Sequence, residues 1–221
     1  MRSTPHAYVA RALPLPPGAP AKLLEASPTR FKHVISLSMA DGGSPPPSLR
    51  TSAVTFYTDE YLVILFEGSF ATLREAPPVK NTDVTRKTPM LWETADVFEF
   101  FVGSGARVMQ SYREFQVAPD GRWLDLSVLH QDGKIVGDDS WHSGCRCSSF
   151  VDIERKTWRS LLQIPWTSLG EEPPANANWR CNYYRASGRF HGDQLLAWSP
   201  TGIGPGCFHR TEHFGTLVIQ R

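Results

Sequence analysis

The sequence predicts an all-β fold, an antiparallel β-sandwich of immunoglobulin or jelly-roll type with about nine to ten strands. Three observations point there. Short apolar runs recur between clusters of Gly, Pro, Asn and Asp, several of them alternate with a period of two, and no segment carries a long 3.6-residue apolar period. With 221 residues, 41% of them hydrophobic and 20% charged, the chain can bury one sizeable core.

In chain order, residues 1–28 are rich in Pro and Ala without a period, and read as an extended arm lying on a single domain of residues 29–221. "GGSPPPSLR" (42–50) is a loop by composition. "TSAVTFYTDEYLVILFEGSF" gives strand, turn and strand, with Thr58, Asp59 and Glu60 turning and Leu62 to Phe66 buried. "REAPPVKNTDVTRKTPM" (74–90) cannot pack regularly and reads as a long loop. "LWETADVFEFFV" (91–102) reads as a strand, and "SYREFQVAPDGRWLDLSVLH" as two strands around Pro119-Asp120-Gly121. Residues 131–149 are turn-rich and loop-like, and "FVDIERKTWRSLLQ" follows as a strand. "NWRCNYYRAS", "LLAWSP" and "FGTLVIQ" complete the set.

The stretch 91–102 sets Asp96 and Glu99 among Val97, Phe98, Phe100, Phe101 and Val102. Ionised carboxylates seldom sit in such surroundings without a partner. Alternation offers a solution: with Phe98 and Phe100 pointing into the sandwich, Glu99 points the other way, into a polar groove. On the next strand, Tyr112, Glu114 and Gln116 share one face, and Arg113, Phe115 and Val117 the other.

Charge narrows the partners. Lys+Arg 23 against Asp+Glu 22 gives a net +1, which supports neither nucleic acid nor an anionic membrane as partner. The opening residues hold no apolar run long enough for a secretory signal or a membrane span, so the expected location is cytoplasmic, or secreted if a leader has been removed. Cys145 and Cys147 form C-x-C, too close for an easy mutual disulfide and incomplete as a zinc site. Four free thiols are expected, with a Cys181–Cys207 bridge as the alternative. The sequence does not define an oligomeric state.

Catalytic motifs are few. "HRTEH" (209–213) matches an H-x-x-E-H pattern, but glycines precede it and a strand follows, so it reads as a loop rather than a zinc-binding helix. No glycine-rich phosphate loop opens a helix, and no Ser stands in a G-x-S-x-G context. Asp96 and Glu99 are three apart, so on a regular strand they face opposite ways, unlike a glycosidase pair flanking one bond. What remains is an aromatic and amide-type set on adjacent strands: Trp92, Glu99, Gln116, Tyr184 and Phe208. Flat apolar faces with bidentate acceptors and donors at their edges suit sugars, and seven Trp in a neutral chain agree with that.

The ordered series "FYTDEYLVILFEG", "LWETADVFEFFV", "SYREFQVAPDG", "IPWTSLG", "WRCNYYRA", "LAWSP" and "FHRTEHFGTLVI" resembles carbohydrate-binding module family 9-like domains, from about residue 50 to the end. The resemblance implies a DOMON-like β-sandwich that binds the reducing ends of glucan or xylan chains between two aromatic plates. One plate maps to Trp92 and the second, a Trp in the family, to Phe208. The family's ligand-binding Glu maps to Glu99, with one residue more than the usual spacing, so that a bulge or a role for Asp96 is the alternative. The family's Arg maps to Gln116 and its Gln to Tyr184, so the frame matches while the hydrogen-bonding set differs.

Some members hold structural calcium, which needs several converging oxygens. Asp132, Asp138 and Asp139 are acidic loop residues, yet their spacing marks no site, and no other cofactor is implied. The expected function is a non-catalytic binder of mono-, oligo- or polysaccharide of the glucan or xylan type. The alternatives are a glycoside hydrolase or its accessory domain in carbohydrate catabolism, using Asp96 or Glu99, or a sandwich interaction domain that has lost its sugar.

Overall fold

A strand needs neighbours along its edges and a place to bury one face, and the apolar runs of this chain find both. The computed structural model describes residues 8–16, 20–73, 87–104, 108–170, 178–187, 194–204 and 206–219. Most of the loop read at 74–90 lies outside them.

Fourteen strands among these residues form one mixed sheet, more than the sequence disclosed. The first half holds β1 (Val9–Pro14), β2 (Ile35–Ser36), β3 (Ser38–Met39), β4 (Thr51–Tyr57), β5 (Tyr61–Ser69), β6 (Val97–Ser104) and β7 (Ser111–Val117). The second holds β8 (Trp123–Gln131), β9 (Lys134–Asp138), β10 (Arg146–Asp152), β11 (Thr157–Pro165), β12 (Asn178–Ala186), β13 (Leu195–Ala197) and β14 (Gly215–Ile219). The order is β10-β11-β5-β4-β1-β14-β12-β6-β7-β8-β9, with β2 on β4 and β13 between β12 and β3.

The sheet curls so that its halves face each other. Phe66 of β5 stacks on Phe98 of β6 with ring centroids 4.9 Å apart, and Phe98 meets Trp158 of β11 at 4.1 Å, although β6 neighbours neither strand. This is the expected sandwich. Between its walls lie Phe66, Phe98, Phe100, Phe115, Trp158 and Trp179, all buried. Two polar ties cross the core. The Thr55 and Tyr183 hydroxyls share a 2.7 Å hydrogen bond, and buried Arg185 donates to Ser69 O at 2.7 Å and Thr51 Oγ1 at 3.1 Å. Burial pushes the Arg185 guanidinium down to about 10, while the charge of Asp96 acts in the other direction. Asp96 therefore supports the core.

Three expectations change. The arm read over 1–28 contains β1, which pairs in parallel with β4 on one side and β14 on the other, so it belongs to the fabric of the sheet. Its Pro14 closes the strand, where a missing N–H costs little. The loop read over 131–149 contains β9 and the start of β10, the two edge strands at the ends of the main sheet order. Asp132 and Gly133, with φ of 51° and 73°, form the two-residue turn between Gln131 and Lys134 of the β8–β9 hairpin. Last, Leu91–Thr94 (α1) is one helical turn rather than the start of a strand, entered through Met90 at φ 53°.

All four cysteines are free, Cys145 and Cys147 with their sulfurs 4.0 Å apart. "HRTEH" is a loop of short 3-10 turns, Cys207–His209 and Thr211–His213. Among the described residues no helix is long and apolar enough to cross a membrane, which says nothing of a β-barrel.

Candidate functional site

The pleat builds the site. Along β6, Phe98, Phe100 and Val102 enter the core, so Glu99 and Phe101 lie on the outer face. On β7, Phe115 and Val117 go inward, leaving Glu114 and Gln116 outward. On β8 the outward residues are Leu124, Leu126 and Val128, joined by Ile135 and Gly137 of β9 and Ala186 of β12. Together they floor a cavity of about 470 Å³ on the outside of one sandwich wall. Met90 just before α1 and Trp92 within it, and Gly206, Phe208 and His209 from the turn before β14, form its rim, with Asp139 and Leu195.

Four of the five residues selected from the sequence, Trp92, Glu99, Gln116 and Phe208, line this cavity. The fifth, Tyr184, is fully buried and does not line it. Its ring stacks behind Phe208 with centroids 4.1 Å apart, and its hydroxyl donates to Phe208 O at 2.8 Å. Tyr184 thus supports a wall instead of lining an edge. Register on β6–β7 runs unbroken from Phe98↔Val117 to Val102↔Arg113, so no bulge interrupts the strand. Of Asp96 and Glu99, it is Glu99, paired with Gln116 and Tyr184 on its two sides, that lines the cavity. Asp96 lies before the strand and outside the lining.

The polar end is a small network. Gln116 Nε2 donates to Glu114 Oε1 at 2.6 Å. Tyr112 O–H and His209 Nδ1 share a 2.5 Å hydrogen bond, and His209 Nδ1 lies 4.0 Å from Glu114 Oε2. That last separation would permit an ion pair, but burial opposes both charges. It pushes the Glu114 carboxyl up to about 8, against the pull of the Gln116 hydrogen bond, and the His209 imidazole down to about 4, with His130 adding to the fall. Burial, reinforced by the Glu114 charge, also raises Glu99 well above the carboxylate range. Near neutral pH the His209–Glu114 contact is therefore mainly between uncharged groups.

Glu114, His209 and Asp139 were not chosen from the sequence as site residues. Glu114 had a visible signal, since it shares its strand face with Gln116 two positions on. His209 adjoins Phe208, but "HRTEH" reads as a loop, whose pattern gives its side chains no direction. Asp139 had no signal beyond its loop. Among the described residues no three His, Cys, Asp or Glu side chains are grouped to hold a metal ion.

No family model matches the sequence. A candidate carbohydrate-binding protein from Bacteroides uniformis superposes with a TM-score of 0.67 at 18% identity, covering 97% of this chain and 100% of that one. A family 9 carbohydrate-binding module from Caldicellulosiruptor kristjanssonii, solved with glucose, matches at TM-score 0.56 and 9% identity over 96% of each chain. The same organism's module solved with cellotriose matches at 0.58 and 11% identity, over 96% of this chain and 94% of that one. The chain has the fold of family 9 carbohydrate-binding modules. In sequence, it is 26% identical over 136 residues to a protein from Arthroderma benhamiae named "Extracellular protein", a match spanning 56% of this chain and 60% of that protein.

Proposed function

We propose that the protein is a non-catalytic carbohydrate-binding module that takes a glucan- or xylan-type sugar in the cavity on the β6–β7–β8 face. One observation carries the reading. Two aromatic rings, Trp92 and Phe208, and two hydrogen-bonding side chains, Glu99 and Gln116, line a single cavity of about 470 Å³, within the size range of small-ligand sites. Half-buried Trp92 offers a ring face, and Phe208 offers a second that Tyr184 holds in place. The family 9 modules of the same fold, solved with glucose and cellotriose, support the ligand class.

Calorimetric titration with glucose, xylose, cellobiose and xylobiose, run beside Trp92→Ala, tests this. Affinity is expected in the micromolar to millimolar range. The variant should lose roughly tenfold or more, as truncation of a central aromatic contact does. A sugar that binds wild type and variant equally well would show that Trp92 is not in the site.

The second reading, a glycoside hydrolase, has one observation in its favour: Glu99 and Glu114 are two carboxyls of one cavity on adjacent strands. Release of reducing sugar from xylo- or cello-oligomers by the purified protein would establish it. The binding module should release none.

A further inference from the structure

The cavity's polar groups are unbalanced in kind. Among the described residues its lining carries three carboxyl groups, Glu99, Glu114 and Asp139, and neither Lys nor Arg. Glu114 and Gln116 are only 2% and 1% exposed, and Glu114 Oε2 and Gln116 Oε1 have no hydrogen-bond partner among the described residues. Two hydrogen bonds order the groups around these oxygens. Gln116 gives Nε2 to Glu114 Oε1, which leaves its carbonyl oxygen as the free end. Tyr112 and His209 are bonded to each other. The two floor oxygens left without a partner, Glu114 Oε2 and Gln116 Oε1, are thus both acceptors when Glu114 is ionised.

A neutral sugar hydroxyl meets these two acceptors with a single donor. An ammonium group brings three donors, no acceptor and the charge that a buried carboxylate needs. A bare metal ion fits less well. Calcium takes six to eight oxygens, whereas Phe101, Leu124, Leu126 and Val128 surround this floor and no metal-holding group of three acids, His or Cys is present among the described residues. We infer that the cavity selects an amino sugar, its protonated amino group received by Glu114 and Gln116 and its ring beside Trp92 and Phe208. The inference rests on the carbohydrate-binding reading above and names the sugar class of the same site. It also accounts for the raised carboxyls of Glu99 and Glu114: without a cation beside them, protons take that place.

The test is calorimetric titration of the full chain at neutral pH with glucose, glucosamine and N-acetylglucosamine. Glucosamine should bind roughly tenfold or more tightly than glucose, the gain from charge-assisted hydrogen bonds to a buried acceptor. N-acetylation, which removes the charge but keeps the ring, should abolish that gain. In Glu114→Gln the glucosamine-to-glucose ratio should fall to about one, and if that variant does not fold, the wild-type comparison decides alone. Equal affinity for glucose and glucosamine overturns the inference and leaves the binding function standing, while no binding to any of the three overturns both. Methylamine binding as tightly as glucosamine, or calcium raising the Tm where glucosamine does not, overturns it in favour of a plain amine or a metal site.

Discussion

At the scale of single residues, the cavity acids and His209 make stability depend on pH in opposite senses. Glu114 titrates near 8 when folded against an ordinary 4.5, so the folded state holds a proton that the unfolded chain has released. Its contribution is complete below pH 4.5 and is lost as pH rises to about 8. His209 is depressed from 6.5 to about 4, so its contribution is present above pH 6.5 and is lost as pH falls to about 4. Above pH 6.5 His209 becomes neutral in the unfolded chain as well, so toward pH 8 the slope increasingly reports the acids. Chemical denaturation should show stability falling across that window by up to about 1.4 kcal/mol per pH unit for each acid. Glu114→Gln should flatten the slope, and an unchanged slope would mean that Glu114 is ionised in the folded protein. As for legibility at this scale, strand alternation was enough to place Glu99 and Gln116 on one face. It could not separate Tyr184 from them, because Tyr184 is covered by Phe208, a residue 24 positions further along the chain.

At the scale of elements, the two edge strands that escaped the sequence reading, β9 and β10, share a physical trait. β9 is exposed along its whole length and β10 has no buried residue, so neither carries the apolar run that marks an interior strand. The Asp132-Gly133 turn was their best local sign. The last strand depends on a close approach that sequence pattern does not reveal. A Cβ on Gly215 of β14 would stand 2.3 Å from Trp198 Cζ3 and 2.8 Å from Tyr8 O. Gly215→Ala should therefore cost about 1–3 kcal/mol by overpacking, read as a fall in Tm of roughly 2–4 °C per kcal/mol. A Tm equal to wild type would mean that β14 and the Trp198 ring can move apart freely.

For the molecule as a whole, β1 is the seam. Among the described residues one wall, β10-β11-β5-β4, and the other, β14-β12-β6-β7-β8-β9, meet in the sheet order only through it. Ala10 and Ala12 bury small side chains there, which lets the curled sheet close. Removing residues 1–16 would expose the ladder edges of both β4 and β14. The truncated chain should lose its cooperative thermal transition and bind a hydrophobic dye, and retention of the wild-type Tm would show that the walls hold together without the seam. The seam could not be read locally, since β1 pairs with strands about forty and two hundred residues away.

What the sequence determined by itself was the class of fold and the side of the strand on which each residue falls. Both follow from a two-residue period and turn chemistry that act over a few positions. The site's composition was settled only in three dimensions. Glu99 and Gln116 become neighbours because β6 and β7 pair in one register, and Phe208 and His209 join them because the turn before β14 packs over that face. Burial then decides the chemistry. The same carboxyl that would be ionised on an exposed strand is pushed upward at Glu114, because the folded chain removes it from water.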